Sequence, residues 1–114
     1  MTSLMLQEAL SAGDCVALQL SQDVERYAEL GRTLRSTTFN SAVTVARGSS
    51  DHASSYVAYL IMSRMGRLVT SLPMSLVTLY KSPLVTRDTL AISISQSGQS
   101  PDVVEPIRYF RDGG

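Results

Sequence analysis

The chain has no tryptophan, one cysteine, one histidine and no formal net charge. Each shortage closes off a class of function. With Cys15 alone, neither an intrachain disulfide nor a cysteine-based metal cluster can form. With His52 alone, a multi-histidine metal site is excluded. Ten basic and ten acidic side chains cancel, whereas a surface built for nucleic acid or anionic membrane needs a basic excess. Five tyrosines and two phenylalanines offer no evident platform for stacking bases. No apolar run approaches the roughly 20 residues that cross a bilayer. The opening stretch, Met1 to Glu8, lacks the basic start of a secretory signal. The expected setting is therefore a reducing cytoplasm, with neither nucleic acid nor membrane as partner. What is present is an ordinary soluble composition, 44% apolar and 18% charged, in 114 residues, a length that suits one compact domain.

Along the chain, hydrophobic spacing separates helices from strands. A short helix is predicted from about Ser3 to Leu10, then a break at Ala12-Gly13-Asp14 with Asp14 as N-cap. A long amphipathic helix follows, its stripe formed by Val16, Leu20, Val24, Tyr27, Leu30 and Leu34. Ala42 to Ala46 is a β-branched apolar run that suits a strand buried on both faces. After the polar turn Gly48 to His52, a second amphipathic helix is predicted with Ala53, Val57, Leu60, Ile61 and Met65 on one face and Gly66 as its stop. Arg67 to Leu72 reads as a strand and Ser75 to Tyr80 as a short helix. Thr89 to Ser95 is a strand leading into Gln96-Ser97-Gly98-Gln99-Ser100. Pro101-Asp102 then opens a helix whose buried side is Val103, Ile107 and Phe110. Pro106 lacks a backbone donor and predicts a local bend or irregular turn there. Alternating strands and helices mean a parallel α/β sheet with right-handed crossovers. Three strands are a thin sheet, so the expectation is a partial domain that stops where a further strand would begin.

Two polar turns follow predicted strands, Gly48-Ser49-Ser50 and Ser95 to Ser100. In an open parallel sheet, ligands bind beyond the carboxyl ends of the strands, where loops enter helix N-termini. Free N–H groups and a partial positive charge there suit a phosphate. Clustered hydroxyls add neutral donors, and glycine at Gly48 and Gly98 permits close approach and positive φ. Either turn alone is most simply a helix cap; two at one sheet edge favour a phosphate site. Neither turn carries Gly-Lys-Ser/Thr and no GxGxxG follows a strand, which disfavours ATP and dinucleotides. His52 reads as a solvated imidazole before it reads as a general acid or base. Arg47 has two readings, a phosphate ligand or the partner of an acidic neighbour.

The run Ala46-Arg47-Gly48-Ser49-Ser50 followed by Ser95-Gln96-Ser97-Gly98-Gln99-Ser100-Pro101-Asp102 resembles the phosphosugar-binding signature of SIS (sugar isomerase) domains, with its G-[ST]-S turn and S-Q-S-G-x-[ST]-x-D run. The resemblance implies a three-layer αβα fold with a parallel sheet of flavodoxin-like type. It also implies a helical segment at 1–37 and the N-terminal part of a first SIS domain at 38–114. Arg47 to Ala53 is most similar to double-SIS hexosamine-phosphate proteins, namely the isomerase half of glucosamine-6-phosphate synthase and the SIS-type glucosamine-6-phosphate deaminases. The synthases tend to have Cys-Gly-Thr-Ser where this chain has Arg47-Gly48-Ser49-Ser50, and their glutaminase domain is absent here, so the deaminases are the better fit. The resemblance assigns the phosphate to Ser50, Ser95, Gln96, Ser97 and Ser100, and contacts with the sugar to Gly48 and Ser49. The family's glutamate, histidine and lysine for proton transfer have no counterpart in this chain, so no catalytic residue is expected, and no metal or organic cofactor is implied. The expected partners are a phosphorylated amino sugar and a second copy in a homodimer. The activity implied is that of an aldose–ketose isomerase or deaminase, with this chain alone inactive; the alternative is a non-catalytic phosphosugar-sensing module of a regulator.

Overall fold

The computed structural model describes all 114 residues, and they divide into two compact units, Met1–Thr38 and Phe39–Gly114. The first unit is a pair of helices, α1 (Leu4–Gln22) and α2 (Val24–Ser36). Ser3 caps α1 by accepting the Leu6 N–H on its hydroxyl at 3.2 Å. The break predicted at Gly13 does not occur: α1 runs through Gly13 and Asp14 and ends at Asp23. A glycine inside a helix costs about 1 kcal/mol relative to alanine. The helical hydrogen bonds gained by carrying α1 through this segment outweigh that cost, and the two helices need two nuclei wherever the break falls. The break falls instead at Asp23, which leaves helical dihedrals (φ −107°, ψ 9°) and whose carboxylate meets Arg26 at 3.4 Å rather than capping α2. The stripe from Val16 to Leu34 is thus shared by two helices, and no residue of either is buried.

The second unit is built on a three-stranded parallel sheet of order β2-β1-β3, from β1 (Ser41–Val45), β2 (Leu68–Ser71) and β3 (Thr89–Ser93). Ser41 aligns with Leu68 on one side and Thr89 on the other. The central strand is the one buried on both faces, with Ala42 to Val45 all buried. Val43 and Val45 join Leu72, Val77, Val103 and Phe110 in one core cluster. Ala42 and Thr44 point to the other face by strand alternation and are buried as well. Helix α3 (Ser49–Met65) packs on β1 and β2, and α5 (Pro101–Asp112) packs on β1, β3 and the short α4 (Ser75–Thr78). The layered α/β architecture read from the sequence is the one observed, and each strand is a residue or two from its predicted bounds.

Two helices differ from expectation in informative ways. Helix α3 begins at Ser49, so the polar residues 49–52 form its first turn and not a loop before it. Its inward face is Ser54 with half-buried Val57, Ala58 and Ile61, while Ala53 and Met65 are exposed. A small polar residue holds the closest approach to the sheet, and a hydrophobic count passes over it. Ser54 is completely buried, and its Oγ has no hydrogen-bond partner. Helix α5 runs uninterrupted through Pro106, which is buried between Val103 and Phe110 on the same face. Beside it, the Tyr109 hydroxyl accepts the Leu84 N–H at 3.0 Å and lies 3.2 Å from the Leu84 carbonyl, to which it donates. That clamp holds the 82–84 segment against α5.

Tyr109→Phe is expected to lower unfolding stability by about 1 kcal/mol, the usual net worth of such a bond, measured by urea denaturation. Ser54→Ala, which removes a buried hydroxyl without a partner, is expected to leave stability unchanged or raise it by up to about 1 kcal/mol in the same assay.

Candidate functional site

Because all the strands run the same way, the loops after β1 and β3 leave one edge of the sheet. They are neighbours because β1 and β3 pair up to Val45 and Ser93. The ladder is prolonged by the Ile94 N–H, which donates to the Val45 carbonyl at 3.4 Å. After β1, Ala46-Arg47-Gly48 leads straight into α3. Gly48 is the N-cap, with φ +59° and ψ −136°, a conformation that side-chain-bearing residues rarely adopt. A Cβ built there would meet nothing within 4 Å, so the constraint is conformational and not steric crowding. Gly48 thereby makes Ser49 and Ser50 the first two residues of α3, whose N–H groups have no partner within the helix and lie at its positive end.

After β3, the segment from Ile94 to Ser100 is held by its own hydroxyls. Ser95 Oγ accepts the Gly98 N–H at 3.0 Å and Ser97 Oγ accepts the Gln99 N–H at 3.3 Å. Each hydroxyl therefore keeps its own proton free to donate. Gly98 has φ +68° at the crest of the turn. Ser100 is the N-cap residue of α5, Pro101 follows at its first position, and the Ser100 side chain makes no capping bond. Its hydroxyl is thus also free.

Both loops line a single open cleft of about 150 Å³, bounded by Arg47, Ser50, Ile94, Ser95, Gln96, Ser97, Ser100 and Val103. All five side chains expected at a phosphate are brought together. Gly48 and Ser49 do not line the cleft; they set the start of α3 beside it. His52 is exposed on the first turn of α3 and is likewise outside it. Ile94 and Val103 form apolar walls that the motif reading did not include. Val103 was legible as the inward residue of α5, but its place at the cleft depends on where that helix packs. Of the two readings left open for Arg47, the structure contains the acidic partner: its guanidinium donates to the carboxylate of Asp102. The cleft is smaller than the roughly 300–1,000 Å³ of pockets that enclose a whole small molecule, and its size fits one anionic group. A second cleft of about 380 Å³ adjoins it, sharing Ser95 and Val103 and reaching Arg108 and Arg111 along α5.

A crevice at the carboxyl ends of paired parallel strands, walled by hydroxyls and helix N-termini, defines the class: an α/β protein shaped for an oxyanion. No protein-family model matches the sequence. The chain is 32% identical over 93 residues to the glutamine–fructose-6-phosphate aminotransferase (isomerizing) of Thermus thermophilus, covering 82% of this chain and 15% of that relative. To the same-named protein of Clostridium tetani it is 32% identical over 75 residues, covering 66% of this chain and 12% of the relative. Among solved structures it is similar to a Silicibacter pomeroyi protein provisionally described as a phosphosugar isomerase. There the TM-score is 0.70 at 39% identity, covering 85% of this chain and 30% of the other. With the motif and the fold, these similarities identify the chain as a member of the SIS (sugar isomerase) domain family.

Gly48→Ala is expected to lower stability by about 1–3 kcal/mol, the cost of holding a side-chain-bearing residue in that backbone region. Denaturant unfolding of the variant against the parent chain measures it.

Proposed function

We propose that the chain is the phosphosugar-binding portion of an aldose–ketose isomerase or deaminase that acts on an amino-sugar 6-phosphate such as glucosamine 6-phosphate. The observation that carries this reading is the convergence of Ser50, Ser95, Gln96, Ser97 and Ser100 on one cleft at neighbouring strand ends. Ser95 and Ser97 each accept a turn N–H, so both hydroxyl protons are poised for an acceptor. A phosphate monoester offers three acceptor oxygens and up to two negative charges, which matches a set of donors with no carboxylate among the lining residues. The relatives named for fructose 6-phosphate support a hexose 6-phosphate as ligand. The resemblance of the segment from Arg47 to Ala53 to hexosamine-phosphate proteins favours an amino sugar, and the deaminase within that group.

Proton transfer between sugar carbons is assigned to groups outside this chain, since no glutamate, histidine or lysine lines the cleft. The same observation favours a second reading, a non-catalytic sensor that binds the phosphosugar without turning it over. A homodimer in the cytoplasm belongs to the proposal. Exposed Val24, Tyr27 and Leu30 on α2 are available for a second copy, and no helix is long and apolar enough to cross a membrane.

Titration calorimetry with glucosamine 6-phosphate tests the site, and chromatography of the same mixtures tests for turnover. Since this chain alone is expected to turn over nothing under either reading, the discriminating sample is the full-length protein. Binding with turnover there favours the enzyme, and binding without it favours the sensor. The double variant Ser95→Ala with Ser97→Ala removes two hydrogen bonds to a charged group, each worth about 1.5–3 kcal/mol. Its affinity is expected to fall at least about 100-fold, and an unchanged Kd would refute the assignment of the second turn.

A further inference from the structure

The five side chains proposed to hold phosphate are all neutral, and one cation stands among the residues that line the cleft: Arg47. It lies two residues beyond the end of β1, and it donates through Nη1 to Oδ2 of Asp102, in the first turn of α5. The pair therefore joins the two walls of the cleft. Asp102 does not itself line the cleft, and its carboxylate lies at the end of α5 where the helix dipole favours negative charge. A guanidinium has five N–H donors, and this contact engages one nitrogen. The Arg47 side chain remains 62% exposed, with the rest of its fork unpaired.

Neutral hydroxyls discriminate weakly between anions of different charge, because each supplies only a dipole. A guanidinium adds a full charge and a planar fork that matches phosphate oxygens. Resting on the phosphosugar reading above, we propose that Arg47 is the specificity-determining residue of the cleft. Its free N–H groups engage the ligand's phosphate and make the site select a dianion. Asp102 is a positioning residue that holds the guanidinium at the rim between the two turns.

The test uses the full chain, titrated with glucosamine 6-phosphate and with its 6-sulfate, a monoanion of nearly the same shape. Arg47→Met is expected to weaken 6-phosphate binding by about 10- to 100-fold, as loss of a charge-assisted bond does. It is also expected to shrink the preference for phosphate over sulfate. Arg47→Lys restores charge without the fork and recovers part of that preference. Asp102→Asn leaves the cation in place and costs less affinity than Arg47→Met. The parent's affinity should fall as salt rises from about 0.05 to 0.5 M, a measurement that needs no variant to fold.

An Arg47→Met Kd within twofold of the parent, while Ser95→Ala with Ser97→Ala abolishes binding, overturns this inference and leaves the phosphosugar reading standing. If neither variant changes Kd, the reading itself fails and the inference with it. If Asp102→Asn and Arg47→Met lose equal affinity and equal melting temperature, the pair is only a structural tie, which also overturns the inference. So does an affinity of the parent chain that is insensitive to salt.

Discussion

Everything at the candidate site depends on one constraint: β1 is paired in parallel with strands on both sides. Parallel pairing puts the carboxyl ends of β1 and β3 side by side, and each end must then release its chain into a helix that returns across the sheet. Two loops and two helix N-termini are thereby delivered to the same place. Had β3 run antiparallel, Ser95 to Ser100 would lie at the opposite edge from Ser50. β1 can hold the centre because Val43 and Val45 bury one face while Ala42 and Thr44 bury the other, which an edge strand does not require. β2 illustrates the contrast, with Leu68, Thr70 and Ser71 all exposed.

Within that frame, backbone conformation places the donors. Gly48 turns the chain so sharply that α3 begins at the next residue, putting the Ser50 hydroxyl and the helix's free N–H groups at the cleft together. On the other side, Ser95 and Ser97 each accept one N–H inside the turn. The same bonds stiffen the loop and leave its hydroxyl protons unspent. The Val103 N–H donates to the Ser100 carbonyl at 3.0 Å, and the Ser100 side chain makes no capping bond, so its hydroxyl stays free.

Charge is handled differently from hydrogen bonding. Arg47 and Asp102 are both well exposed, and a surface pair of that kind adds at most about 1 kcal/mol to stability. Its interest lies in position: it spans the two elements that form the cleft and keeps a cation at the rim of an otherwise neutral donor set. The packing that supports the rim is ordinary by comparison, an apolar cluster from Val43 to Phe110 with the Tyr109 clamp at its margin.

The sequence by itself determined the class of fold, the order of its elements and the two polar turns, while the choice of Ser50, Ser95, Gln96, Ser97 and Ser100 within them came from the family resemblance. The first three are legible because strand alternation, helix periodicity, Pro101 and the two Ser-rich turns are local signals, each readable within a few residues. It misplaced the first helix break, because the small cost of Gly13 is outweighed by helix continuity, a sum over the whole segment. It also set Ala53 instead of Ser54 toward the sheet, since hydrophobicity does not register a small polar side chain chosen for close packing. Only the tertiary structure decided that Arg47 meets Asp102, that Val103 and Ile94 wall the cleft, and that Gly48 and Ser49 stand beside it. Those facts join residues as much as 55 positions apart, and such contacts are set by how strands pair and helices pack, which no local pattern encodes.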